Sequence, residues 1–118
     1  MFGIGVHHVS LNVTDAATSI RFYVDVLGMT QRDDRPAFPF DGAWLQTGDQ
    51  QIHLLEVPDF VPPTGQHFAL RIADIDAARE HLTAHDVEVS EPKEQPGICR
   101  QCFFRDPTGN LIELNQPV

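Results

Sequence analysis

The stretches His8-Val9-Ser10-Leu11-Asn12-Val13 and His67-Phe68-Ala69-Leu70-Arg71-Ile72 carry the same polar and apolar frame twice. Val9, Leu11 and Val13 alternate with polar neighbours, as do Phe68, Leu70 and Ile72, which is the period-two pattern of a half-buried strand. Each stretch opens on a histidine and runs into an aspartate, Asp15 or Asp74, followed by a helix-like run. Each half then closes on a strand with a coordinating residue between aliphatics, Ile52-His53-Leu54 in the first and Ile112-Glu113-Leu114 in the second. The intervals nearly match, 45 residues from His8 to His53 and 46 from His67 to Glu113. A repeat of this kind is one supersecondary unit that cannot bury its apolar face alone, so two copies pack on each other or on a second chain.

Working outward, the chain reads β-α-β-β-β twice, an α+β fold in which two modules, 1–58 and 65–118, make one domain over 1–118. The expected architecture is a curved mixed sheet, a cup, with the helices on its outer face. Thr14 or Asp15 caps the first helix, where Ile20, Phe22, Tyr23, Val26 and Leu27 recur at helical spacing until Gly28 stops it. Asp74 caps the second, with Ile75, Ala78 and Leu82 as its buried stripe and His85-Asp86 as its end. Prolines mark 35–42 as a loop or edge segment and 58–65 as the linker between modules.

Composition narrows the partners. With 118 residues and 42% hydrophobic content the chain is long enough for one real core and too short for two conventional domains. No apolar run reaches the ~18 residues of a membrane span, and the N-terminus lacks the flanks of a signal peptide, so a soluble, cytoplasmic protein is expected. A net charge of −9 without a basic stripe opposes nucleic acid and anionic lipid. A small molecule is the expected partner.

Strand parity decides which polar residues can meet. The aliphatics of all four histidine- or glutamate-bearing strands share one face, under the helices; His8, Ser10, Asn12, Gln51, His53, His67, Arg71, Glu113 and Asn115 share the other. His8, His53, His67 and Glu113 are therefore expected to converge in the cup. Three imidazoles and a carboxylate suit one divalent metal per site, Zn, Ni, Fe, Mn or Co, with positions left for substrate. Ser10, Asn12, Phe38, Trp44, Arg71 and Arg100 are the expected substrate contacts. His7 points to the aliphatic side by parity and reads as structural or as an interface residue, and His81 with His85 reads as a solvated helix face. Cys99 and Cys102, three apart in a strand, face opposite sides and read as reduced thiols. Glu56 falls on the face away from the site, and Asp106 to Asn110 reads as a plain hairpin turn.

The segments His8-Val9, Val13-Thr14-Asp15, Arg21-Phe22-Tyr23-Val24-Asp25-Val26-Leu27-Gly28-Met29 and Phe104-Arg105-Asp106-Pro107-Thr108-Gly109-Asn110-Leu111-Ile112-Glu113-Leu114 together resemble the vicinal oxygen chelate superfamily, which includes glyoxalase I, fosfomycin-resistance transferases, extradiol dioxygenases and bleomycin-binding proteins. With Phe38 to Leu45 and Ile52 to Leu55, the chain looks most like the small glyoxalase-I-like proteins. The resemblance implies the same four ligands, His8, His53, His67 and Glu113. It also implies a lyase or isomerase in which a metal-chelated enediolate forms while Glu113 moves the proton. Glyoxalase I usually has a carboxylate where this chain has His53. The alternatives it leaves are an extradiol dioxygenase, a fosfomycin-type thiol transferase and a non-catalytic binder of bleomycin-like antibiotics. The resemblance further implies a homodimer, with the ligands drawn from one chain or from both.

Overall fold

The computed structural model describes residues 2–118. The chain divides into two compact units, Met1–Val61 and Pro62–Val118. The first contains β1 (His8–Val13), α1 (Ala16–Arg21), β2 (Thr30–Gln31), β3 (Gly42–Thr47) and β4 (Gln50–Glu56). Its four strands form a mixed sheet in the order β1-β4-β3-β2, with β1 and β4 parallel and the other pairs antiparallel. The second unit repeats this with β5 (His67–Arg71), α2 (Ile75–Ala84), β6 (Lys93–Gln95), β7 (Cys99–Arg105) and β8 (Leu111–Pro117), ordered β5-β8-β7-β6. The α+β reading with two βαβββ modules thus holds. No helix among the described residues is long and apolar enough to cross a membrane.

In each unit the apolar face of the sheet meets its own helix. Helix α1 packs on β3 and β4, where Val13, Ala43, Leu45, Ile52 and Leu54 are buried with Ala16 and Tyr23. In the second unit Ile75 and Leu82 of α2 are buried, as are Cys102, Phe104, Ile112 and Leu114. Full burial of each large apolar side chain contributes roughly 1.5–3 kcal/mol. Asp15 and Asp74 cap the helices through the Thr18 and Ala77 amides at 2.9 and 3.0 Å. The Thr18 amide holds the Asp15 carboxyl below its ordinary value of 3.8.

The first helix departs from the expected single stripe. After Arg21 the backbone widens into a π-helical turn over Phe22–Val26, with the Leu27 amide donating to the Phe22 carbonyl, before Gly28 leaves at φ +75°. The widened turn shifts the register, so Ala16, Ser19 and Tyr23 are buried while Phe22, Val26 and Leu27 are only half-buried. His7 is also a correction: it precedes β1 and is exposed, its ring edge-on to that of His8. The Asp106 turn is more than a plain hairpin. Asp106 is 5% exposed, and its Oδ1 accepts from the amides of Thr108, Gly109 and Asn110 at 3.0, 3.0 and 2.8 Å.

One contact recurs in both units with different chemistry. Glu56 Oε2 accepts from the Ala16 amide at 2.9 Å, and Gln116 Oε1 accepts from the Ile75 amide at 2.8 Å. Residues at the ends of β4 and β8 therefore anchor the start of α1 and α2, satisfying an amide that has no partner within the helix. Glu56 lies on the helix face, as parity predicts. Glu56→Ala should unpair the Ala16 amide and cost about 1 kcal/mol in urea unfolding, while Glu56→Gln, which copies the residue used at the matching point of the second unit, should lose less than half as much. Equal losses in both variants would mean that the carboxylate charge, not the hydrogen bond, is what matters.

Candidate metal centre

The polar face of the first sheet is fixed by its register. Ser10 and Trp44 both lie directly across from His53, on either side of it, while Asn12 and Gly42 flank Leu55. His8, one step along the parallel pair, swings its ring onto His53, with centroids 4.0 Å apart and planes 15° from parallel. Trp44 stacks on the opposite side of His53 at 4.5 Å and 9°. His53 is thus held between two rings and is 8% exposed. Its Nε2 lies 2.8 Å from Gln51 Oε1, an acceptor, which assigns the proton of the neutral ring to Nε2 and leaves the lone pair on Nδ1. Burial, followed by the positive potential of His8, His7 and Arg32, holds the His53 imidazole below its ordinary 6.5.

The second unit supplies the complementary pair. Ala69 stands opposite Glu113 in the register, and His67, two residues earlier on the same face, reaches Glu113 Oε1 with Nε2 at 3.1 Å. Behind the ring, His67 Nδ1 lies 2.9 Å from the carbonyl oxygen of Gly65. A carbonyl can only accept, so Nδ1 carries a proton, and Nε2 is turned to face the carboxylate. Glu113 is 7% exposed, and its other oxygen accepts from Asn115 Nδ2 at 2.8 Å. Two electron-rich atoms at this distance, out of water, attract each other only when a proton or a metal cation lies between them.

The donors fit a divalent ion. Two ligand atoms each ~2.1 Å from one ion and roughly at right angles to each other are separated by about 3 Å, which is the His67 to Glu113 spacing. A histidine that donates its far N–H to a backbone carbonyl, as His67 does to Gly65, is the usual orientation of a metal-bound imidazole. Of the four expected ligands the structure therefore brings together His8 with His53 in one unit and His67 with Glu113 in the other. Among the described residues no group of three or more His, Cys, Asp or Glu suited to a metal is assembled.

The expected substrate contacts divide. Ser10, Asn12 and Trp44 lie on the His53 face by register, and Phe38 tilts against Trp44 at 6.3 Å. Arg71, opposite Asn115, shares the face of His67 and Glu113. Arg100 does not: it stands opposite Gln116 on the helix face, with its guanidinium on the Asp76 carboxylate of α2 at 3.1 Å. That pairing holds the Asp76 carboxyl below its ordinary value. Its parity with the buried Cys102 and Phe104 was the signal that could have placed it. His81 and His85 are exposed on α2, with rings 4.4 Å apart, and both cysteines are free and buried. Gln51, Asn115 and the Gly65 carbonyl, which orient three of the four candidate ligands, had no role in the sequence reading; for the two side chains, position two residues along the strand from a ligand was the available clue.

Known proteins share this fold. The Escherichia coli (strain K12) protein YaeR is 34% identical over 124 residues, covering 92% of this chain and 93% of YaeR. The antibiotic-binding protein TnmS3 from Streptomyces sp. CB03234 superposes with a TM-score of 0.84 at 31% identity, over 100% of this chain and 99% of TnmS3. The E126Q mutant of the fosfomycin resistance protein FosX from Listeria monocytogenes, solved with Mn(II) and 1S,2S-dihydroxypropylphosphonic acid, shares the fold with a TM-score of 0.85 at 20% identity, over 99% of this chain and 95% of FosX. The family model that matches residues 5–114 completes the assignment: this chain belongs to the Glyoxalase/Bleomycin resistance protein/Dioxygenase superfamily.

Proposed function

We propose that this protein is a metal-dependent, glyoxalase-I-like lyase or isomerase that moves a proton at the carbon next to the carbonyl of a small substrate. The observation that carries this reading is the buried Glu113 carboxylate facing Nε2 of His67 across 3.1 Å. His8, His53, His67 and Glu113 would hold one divalent ion, Zn, Ni, Fe, Mn or Co. Such an ion supplies a Lewis acid that stabilises negative charge developing on substrate oxygens. Glu113 is the only carboxylate in the set and takes the proton, while Asn115 steadies its second oxygen. Burial of Glu113 keeps water from competing for the carboxylate. A homodimer would complete the set, with His8 and His53 from one copy and His67 and Glu113 from its partner. The similarity to TnmS3 favours a second reading, a non-catalytic binder of a small molecule, which retains a ligand without exchanging its protons.

Titration calorimetry with Mn(II) or Zn(II) should find roughly one ion per site, and replacing both His8 and His67 by Ala should abolish tight binding. His53→Ala should only weaken it. If the site is shared between copies, mixing His8→Ala with His67→Ala should restore a portion of the sites; full occupancy in the double variant would end the metal reading.

The chemistry is tested by solvent-deuterium incorporation next to the carbonyl, using methylglyoxal with several thiols and other small 2-oxo and 2-hydroxy compounds. Glu113→Gln keeps an oxygen ligand and the shape but cannot accept the proton, so exchange should fall by about 10² to 10⁴-fold with metal retained. Exchange at the wild-type rate would place the base elsewhere, and wild-type binding without any exchange would favour the sequestering protein.

Neutral imidazole is the form that binds metal, and Trp44, the only tryptophan, stacks on His53 and reports its charge. A folded-state value below 6.5 means that the stability gained from neutral His53 is complete above 6.5 and is lost as pH falls through the lower value. In metal-free protein Trp44 emission should drop with a midpoint below 6.5, and this step should vanish in His53→Ala. A midpoint at or above 6.5 would contradict the burial argument.

A further inference from the structure

Beside the His53 stack lies a corner that the proposed chemistry does not use. Arg35, on the loop between β2 and β3, holds its guanidinium 5.0 Å from the centre of the Phe38 ring and 5.5 Å from that of Phe40. The two phenyl rings stack at 5.2 Å and 7°, yet remain 40% and 38% exposed. One nitrogen of Arg35 donates to the Phe40 carbonyl at 2.9 Å. Among the described residues Arg32, Arg79 and Arg100 each hold a carboxylate, and Arg35, although half-buried, holds none. Gly42 makes room for it: an added Cβ would strike the Leu54 carbonyl and stand 3.2 Å from Arg35 Nη2.

Arg35, Phe38 and Phe40 close a cleft of about 160 Å³ against Ser10, Trp44 and His53. A cavity of ~150 Å³ is enough to bind benzene, whereas a whole drug-sized ligand needs ~300 Å³ or more. The space therefore suits one ring. A guanidinium laid on aromatic faces is pre-oriented, and its remaining N–H groups can fork onto an anion.

We propose that this cleft is the specificity pocket of the site and takes a single planar ring borne on an anionic chain, as in an arylmethyl 2-oxo acid, whose CH₂ beside the carbonyl carries the proton that Glu113 would take. The ring lies against Trp44 and Phe38, and the anion pairs with Arg35. The inference deepens the proposed function by naming its substrate class, and rests on it only in placing the reacting carbonyl beside His53; binding in the cleft needs no metal.

The test uses the full chain with a chelator present and follows Trp44 emission on titration with phenylglyoxylate, a ring acid with no proton next to its carbonyl that therefore reports binding without turnover, its uncharged methyl ester, and pyruvate, which has the anion without the ring. Phenylglyoxylate should bind about tenfold or more tighter than either control, as expected for a charge-assisted hydrogen bond added to ring burial. Arg35→Gln should bring the acid down to the level of the ester, Arg35→Lys should keep part of the difference, and Phe38→Ala should weaken acid and ester alike. Equal binding of acid and ester by the wild type, which needs no variant to fold, would remove Arg35 as anion partner, and pyruvate binding as tightly as phenylglyoxylate would remove the ring. Emission that shifts with protein concentration alone would assign the cleft to a second copy of the chain and overturn the proposal. Metal calorimetry separates the two readings: a normal metal site without ring-acid binding overturns the pocket alone, and ring-acid binding without metal leaves the pocket and removes the proposed chemistry.

Discussion

The contact between His67 Nε2 and Glu113 Oε1 sets the terms for the second unit and for the site. A carboxylate removed from water costs several kcal/mol unless positive charge faces it, and Glu113 sits in β8 between β5 and β7, only 7% exposed. The Gly65 carbonyl holds one His67 proton on the far side of the ring and so turns Nε2 toward the carboxylate. What is left is a pair of donors aimed at one point, tethered by Gly65 behind one and Asn115 behind the other. That is a preorganised arrangement, since both side chains are held before any cation arrives.

The duplicated frame is what makes such a placement possible. Each unit uses one face of its sheet for a helix and keeps the other for polar side chains, and each ties the helix start to the end of its last strand, through Glu56 in one case and Gln116 in the other. The helix face therefore settles register, and register settles the opposite face, because a slip of one residue would send every polar side chain into the core. His53 and Glu113 occupy matching strands, β4 and β8, flanked alike by buried aliphatics.

The units differ in what surrounds these residues. Around Glu113, His67 and Asn115 are hydrogen-bonding groups that hold the carboxylate, with the Phe103 ring edge-on to His67 beside them. Around His53 they are rings: His8 on one side, Trp44 on the other, and Phe38 beyond it. Burial of an imidazole among rings keeps it neutral, which is the state suited both to a ligand and to an apolar pocket wall. One copy of the repeat is thus specialised for charge and the other for aromatic contact, with Arg35 as a cation stacked at the edge of the aromatic side.

Much of this was legible in the chain itself, because the signals are local. Alternation from His8 to Val13 and from His67 to Ile72 gives strands and faces, Asp15 and Asp74 give helix starts, and the matched intervals give the repeat and the four candidate ligands. Other features depend on partners far away in sequence, which periodicity cannot pair. The Ala16 amide meets Glu56 and the Ile75 amide meets Gln116 across 40 and 41 residues. Arg100 turned to Asp76 because the pairing of β7 with β8 put it on the helix face. The π-helical turn after Arg21 arose where Tyr23 is fully buried, and the Arg35 stack on Phe38 and Phe40 has room only because Gly42 carries no side chain beside it. Sequence determined which residues share a face, since side-chain direction follows from the backbone period; tertiary structure decided which of them touch, since contact depends on strand register and rotamers set by the whole packed unit.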